Sequence, residues 1–394
     1  LIAIVELRPS APRLFPPLQI PTNETRAKYA TIARTRDFFN RPREGKELAR
    51  KVFETMNGLR GLAALVVLMY HRPEWYGSLC LPSGFLAVDL FFALSGFVIA
   101  YSYEEKLSKD MNLSDFLALR LIRLYPLYML GTICSVSVIA LSYYFNGHIN
   151  DDNKSGVFSI PFALFMLPTP DFYNKLSALY PLNIPAWSLL FEVIVNVFYA
   201  LTWRWWKPRL LVLVMLVTAV LILMHSEYAD SGWNWDSFGF GLLRVLYSFP
   251  AGVMIYRLYR ENSLPSYTVN SVAILVAFLI MLIAAYGRAA QFCAIFGFPL
   301  LVAAAVRSEP AALFRPLFST LGSASYAIYS IHGPLMIFVK ASLAKLGANS
   351  HPHVIGAVFL AAIIPLALLI DRWFDAPVRK SLHVIFTPRP AARS

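Results

Sequence analysis

Ten apolar runs, each long enough to cross about 30 Å of hydrocarbon, divide this chain. They lie near residues 58–76, 84–103, 122–145, 186–206, 209–225, 238–257, 268–286, 289–306, 317–343 and 354–371. No soluble core hides that much apolar length. With 57% hydrophobic and 15% charged residues, the chain also lacks the polar surface of a water-soluble domain. The predicted fold is all-α, a polytopic membrane helix bundle of about ten transmembrane helices. A shorter apolar piece, Ile160 to Leu167, sits among Pro161, Pro168 and Pro170. It is too short to span alone and is predicted to be a re-entrant or interfacial segment.

The formal charge of +12 does not point to nucleic acid, because the basic residues sit in short patches between apolar runs. If the ten spans alternate, one side collects Arg50, Lys51, Arg60, Lys106, Lys109, Arg120, Arg123, Arg204, Lys207, Arg209, Arg257, Arg260, Arg307, Arg315, Arg372, Arg379 and Lys380. The opposite side receives acidic or mixed loops at 146–156 and 226–237. The positive-inside rule then places both termini in the cytoplasm. Three domains are expected: a basic, Pro-rich, disordered leader over 1–52, a transmembrane domain over 53–380, and a cytoplasmic tail over 381–394. The leader lacks the apolar core of a cleavable signal peptide. Cys80, Cys134 and Cys293 have neither metal nor disulfide spacing and are read as packing residues.

Ionisable residues inside membrane segments are costly and mark reaction or transport pathways. Arg60 and His71 are eleven positions apart in the first span, which puts them on one helical face separated by about 16 Å. The alternating topology predicts that His71, Asp89 and Glu192 lie at matching depth. A carboxylate beside an imidazole fixes its tautomer and raises its basicity, as a general base requires. The same three residues would equally serve as a polar cluster tying helices together.

Ser188, Glu192 and Asn196 recur at every fourth position and Tyr199 continues the stripe, so one helix face is polar. That face suits either a wet cavity with a sugar hydroxyl or interhelical hydrogen bonds. Arg120 and Arg123, one turn apart, make a forked donor pair suited to phosphate or pyrophosphate, or an ordinary positive-inside anchor. Span two offers Asp89, Phe92, Ser95 and Gly96, where Gly96 permits close approach by a ligand or a neighbouring helix. In the span 317–343, Ser325, Tyr329 and His332 fall on one face, and His332 is expected to line the cavity.

The ordered set of motifs resembles the membrane-bound acyltransferase-3 family. The matching pieces run from Asn57-Gly58-Leu59-Arg60 to His71, then Gly84 through Asp89 to Ser95-Gly96-Phe97, and Arg120 through Arg123 to Pro126. They continue with Trp187-Ser188 to Glu192, Ser325-Tyr326 through Tyr329 to His332, and Asp375-Ala376-Pro377-Val378-Arg379. Asn57 and Asp375 depart from the Asp and Glu more usual there. The resemblance implies a stand-alone O-acyltransferase of surface polysaccharides and related acceptors, in a bacterial inner (plasma) membrane. It implies acetyl-CoA or another acyl-CoA as co-substrate, held by Arg60, Arg120 and Arg123, and no metal. His71 would deprotonate the acceptor hydroxyl or carry the acyl group, with Asp89 and Glu192 as catalytic partners. Ser95, Gly96, Trp187, Ser188, Tyr329 and His332 would line the cavity. The partners expected are a glycan or glycolipid acceptor and membrane lipid. The competing class is a membrane transporter that uses His71, Asp89 and Glu192 as a relay.

Overall fold

A computed structural model describes residues 51–386 apart from 110, 150, 174–175, 226–229, 266–267 and 347–350. The predicted leader, except its last two residues, and most of the predicted tail lie outside the described residues. The chain separates at Val52 and Phe53 into two units. All elements below belong to the second.

Its elements are α1 (Glu54–Tyr70), α2 (Ala87–Lys109), α3 (Leu113–Asn146), α4 (Asp151–Leu164), α5 (Trp187–Thr202), α6 (Pro208–Met224), α7 (Phe238–Arg260), α8 (Ser271–Ala284), α9 (Arg288–Arg307), α10 (Arg315–Lys345) and α11 (Pro352–Phe386). Among the described residues the β structure is one isolated antiparallel bridge, Ala178 to Asn234. Among the described residues, seven helical segments are long and apolar enough to cross a membrane, starting at Gly84, Leu113, Ile184, Phe238, Arg288, Arg315 and Pro352. The apolar helices α6 and α8 are shorter, and α1 has 17 residues.

Helix ends follow local chemistry. Asn112 caps α3 by accepting the Asp115 N–H at 2.8 Å, and Gly147 closes it in the left-handed region at φ 73°. Asn270 caps α8 by accepting from Val272 and Ala273. At 34 residues, α3 is about 51 Å long and starts nine residues before the predicted span. Arg120 and Arg123 therefore sit within its second and third turns. The predicted outer loop 146–156 is partly helical, since α4 begins at Asp151 and covers the start of the expected re-entrant piece. At the other end, α11 runs to Phe386, past the predicted domain boundary at 380.

The outside of the bundle is apolar. Leu213, Leu216, Val220, Ile280, Ile283, Val354, Val358 and Leu369 are all exposed. So continuous an apolar surface needs a hydrocarbon solvent. Polar and charged groups go inward instead: Arg244, Asp89, Glu104, His332 and Asp375 are buried. Glu104 of α2 accepts from Arg257 (3.2 Å), Arg260 (3.0 Å) and Tyr199 (3.1 Å), which ties α2, α5 and α7 together.

Helix α1 is buried on most of its circumference, with Leu59, Ala63, Ala64 and Leu68 fully enclosed. It packs most extensively on α10, and the two run in the same direction. Gly58 lies against Phe318, Gly61 against Leu321, and the His71 ring beside that of His332. A side chain at Gly61 would strike the Leu321 backbone, so glycine is what permits this approach.

Candidate functional site

Two recesses lie along this α1–α10 pair. The first is basic. Arg60, on the second turn of α1, donates from Nε to Ser325 Oγ (3.0 Å) and from Nη2 to Gly322 O (2.7 Å). Arg120 Nη2 donates to Glu192 Oε1 at 2.8 Å, and Ser95 Oγ donates to the same oxygen at 3.0 Å. One turn on, Arg123 Nη1 reaches Asp375 Oδ2 at 3.4 Å, and its guanidinium lies 5.2 Å from the Tyr326 ring centroid. With Ser188 and Tyr329 these groups line a cavity of about 160 Å³. Glu192 answers Arg120 and Asp375 answers Arg123, while Arg60, hydrogen-bonded to neutral groups, adds the excess positive charge of the recess.

The second recess, about 240 Å³, is aromatic and carries His71 with Tyr70, Phe85, Trp187, Asp230, Trp233 and Tyr329. His71 Nδ1 lies 2.7 Å from Val67 O. A carbonyl only accepts, so Nδ1 carries the hydrogen and the neutral ring keeps its lone pair on Nε2. Tyr70 Oη donates to Asp230 Oδ2 at 3.4 Å.

The recesses bring Arg60, Arg120 and Arg123 together as expected, and place Glu192, Ser95 and Ser188 beside them. Other expectations need correction. Glu192 is not beside His71 but in the arginine recess, where Arg120 supplies its counter-charge. Asp89 does not orient the imidazole. Arg244 holds it through Nε to Oδ1 (3.1 Å) and Nη2 to Oδ2 (2.8 Å), with both side chains fully buried. The Arg244 guanidinium also donates to Ser231 O (2.6 Å) and Phe85 O (3.0 Å), and lies 5.3 Å from the Trp187 centroid. A forked donor outcompetes an imidazole for a buried carboxylate.

Gly96 lines neither recess, because the α7 backbone at Phe249 occupies the space a side chain would need. Gly96→Val should therefore destabilise the bundle by about 1–3 kcal/mol. A lowered unfolding midpoint in detergent checks this. His332 also lines neither recess. Fully buried, it backs the His71 ring at 5.1 Å, with Nδ1 near Ile328 O (3.0 Å) and Tyr329 O (2.9 Å).

Sequence reasoning missed Asp230, Trp233 and Arg244 as parts of the site. Arg244 carried a signal, as an arginine inside an apolar span. Asp230 was visible only as loop charge. Among the described residues, no three His, Cys, Asp or Glu side chains are placed to hold a metal ion.

An apolar exterior around an inward-facing polar centre defines a multi-pass membrane protein with a basic and an imidazole-bearing recess. The family described as "Acyltransferase domain" matches residues 53–372, and the chain belongs to it. It is 24% identical to the O-acetyltransferase OatA of Staphylococcus aureus over 91% of this chain and 62% of that protein. To the peptidoglycan O-acetyltransferase OatA of Listeria monocytogenes it is 24% identical over 84% of this chain and 57% of that one. The chain thus spans about three fifths of the length of these OatA relatives. Protein 2 in the picA locus of Rhizobium radiobacter is 36% identical over 185 residues, 44% of this chain and 94% of that protein. No solved structure matches.

Proposed function

We propose that this protein is an integral membrane O-acyltransferase that moves an acetyl group from cytoplasmic acetyl-CoA to a hydroxyl of a cell-surface glycan or its lipid-linked precursor. The observation that carries the reading is the paired arrangement of a triple-guanidinium recess and an imidazole recess along one helix pair. The O-acetyltransferase activity for which the OatA relatives are named supports it. The positive-inside pattern supports an arginine recess that opens toward the cytoplasm, and the bacterial relatives support an inner-membrane location.

The donor's phosphates would meet Arg60, Arg120 and Arg123. Among the described residues Arg120 Nε is buried without a hydrogen-bond partner, a donor not spent on the protein. The rise of about 16 Å from Arg60 to His71 suits the long pantetheine arm. In the outer recess, the Trp187 and Trp233 faces would stack on a sugar ring and Asp230 would accept from its hydroxyls. His71 Nε2 takes the proton of the acceptor hydroxyl as that oxygen attacks the thioester carbonyl. The new C–O bond forms, the C–S bond breaks, and the proton passes to the leaving thiolate to give free CoA and the O-acetyl ester.

Arg120→Ala and Arg123→Ala should each raise the KM for acetyl-CoA roughly ten- to hundred-fold, the worth of a hydrogen bond to a charged group. Steady-state kinetics at saturating acceptor measure this; a loss of acceptor affinity at unchanged donor KM contradicts the assignment. The reading as a whole is tested by incubating the reconstituted protein with radiolabelled acetyl-CoA and native envelope glycans. Label recovered as an alkali-labile ester supports transfer. Substrate flux across the vesicle wall without covalent change supports the transporter alternative, against which the engagement of Asp89 by Arg244 already argues.

A further inference from the structure

Tyr329 is the residue common to the linings of both recesses. It lies on α10 one turn after Ser325, which receives Arg60, and three residues before His332, which backs His71. Opposite stands the turn that leads into α5. Ile184, Pro185 and Trp187 face the imidazole recess, whereas Ser188, Leu189 and Glu192 face the arginine recess. The partition between donor and acceptor spaces thus includes one phenol ring closed against one turn.

The closure is held by hydrogen bonds. Tyr329 Oη lies 3.0 Å from Pro185 O and 2.6 Å from Ser188 Oγ. The carbonyl accepts the phenolic hydrogen, so the serine hydroxyl donates to the phenol oxygen. The turn is also clamped to α10 at the next residue, where Asn183 Nδ2 donates to Ser330 O at 2.9 Å. That carbonyl is available because the residue four positions on is Pro334, which has no N–H to offer. Phe91 packs edge-on to the phenol at 5.5 Å from the arginine side. Tyr329 is nearly fully buried.

We propose that Tyr329 and the turn at residues 185–188 form a gate between the two recesses that sets the length of acyl chain transferred. This rests on the donor and acceptor assignment above. The acyl end of a donor held by its phosphates at the arginines reaches His71 only past this ring. With the arm threaded past the phenol, the acyl tail lies in the imidazole recess against the same ring and turn, so each methylene beyond a two-carbon group must find room there. Packing limits of this kind discriminate by about ten-fold or more per methylene.

The test compares transfer of acetyl, butanoyl and hexanoyl groups from their CoA thioesters by wild type, Tyr329→Leu, Tyr329→Phe and Ser188→Ala. Wild type is expected to favour acetyl. In Tyr329→Leu the hexanoyl-to-acetyl ratio of kcat/KM should rise at least ten-fold. Tyr329→Phe, which keeps the ring and loses both hydrogen bonds, should give a smaller rise in the same direction, as should Ser188→Ala. Unchanged ratios in variants that remain monodisperse and still transfer acetyl overturn the gate. If Tyr329→Leu does not fold, the two milder variants decide by the same ratio. CoA binding to wild type, measured by calorimetry, separates the two levels. Binding and transfer with unmoved ratios defeat the gate alone, whereas absence of any CoA binding defeats the donor assignment and the gate with it.

Discussion

His71→Ala is expected to lower the rate of acyl transfer about 10²- to 10⁴-fold, the contribution of a positioned general base, while acetyl-CoA binding stays within a few-fold of wild type. The expectation comes from the separation of the recesses. His71 lines the aromatic one, and the three arginines line the other. Removing the imidazole deletes the Nε2 lone pair that receives the hydroxyl proton and leaves the Arg60, Arg120 and Arg123 contacts in place. Single-turnover assays at saturating donor, paired with calorimetric CoA titration, read both quantities. Near-wild-type turnover would remove His71 from the chemistry. A parallel loss of CoA binding would show that the two recesses are not separable.

Asp89→Asn or Arg244→Met should each destabilise the protein by about 3–5 kcal/mol, because either leaves one member of a fully buried pair without its counter-charge. The double variant Asp89→Leu with Arg244→Met removes both charges and should recover much of that loss. Thermal unfolding in detergent, followed by tryptophan fluorescence, measures all three. Retained acyl transfer in the double variant marks a structural pair, because a relay requires the charges for function and loses activity with them. If the double variant is no more stable than either single one, the pair is coupled to further partners, and the simple two-charge account fails.

What could be read in advance follows the range of the forces involved. Apolar length marked the helices, because hydrocarbon excludes unpaired backbone whatever the neighbours are. The i, i+3 spacing of Arg120 and Arg123 put them on one face, and both do line one recess. In-helix spacing says nothing about which helix stands opposite. Asp89 was matched to His71 by depth, yet α7 supplies Arg244 at the same level with two donors. Glu192 likewise answers to Arg120 across the α3–α5 contact. Asp230 joined the site because a loop folds over it, and loop closure leaves no periodic trace. Gly96 was recognised as a place of close approach, and the approaching group proved to be the Phe249 backbone.

The glycine-mediated seam between α1 and α10 has a mechanical consequence. Because Gly58 and Gly61 let the two rods interlock with Phe318 and Leu321, neither slides past the other without steric collision. Arg60 with Ser325 at one level, and His71 with His332 at another, are therefore graduations on a single rigid ruler. Whatever motion accompanies turnover must be made by the pieces leaning against that ruler, and the distance between its two marks stays constant throughout the cycle.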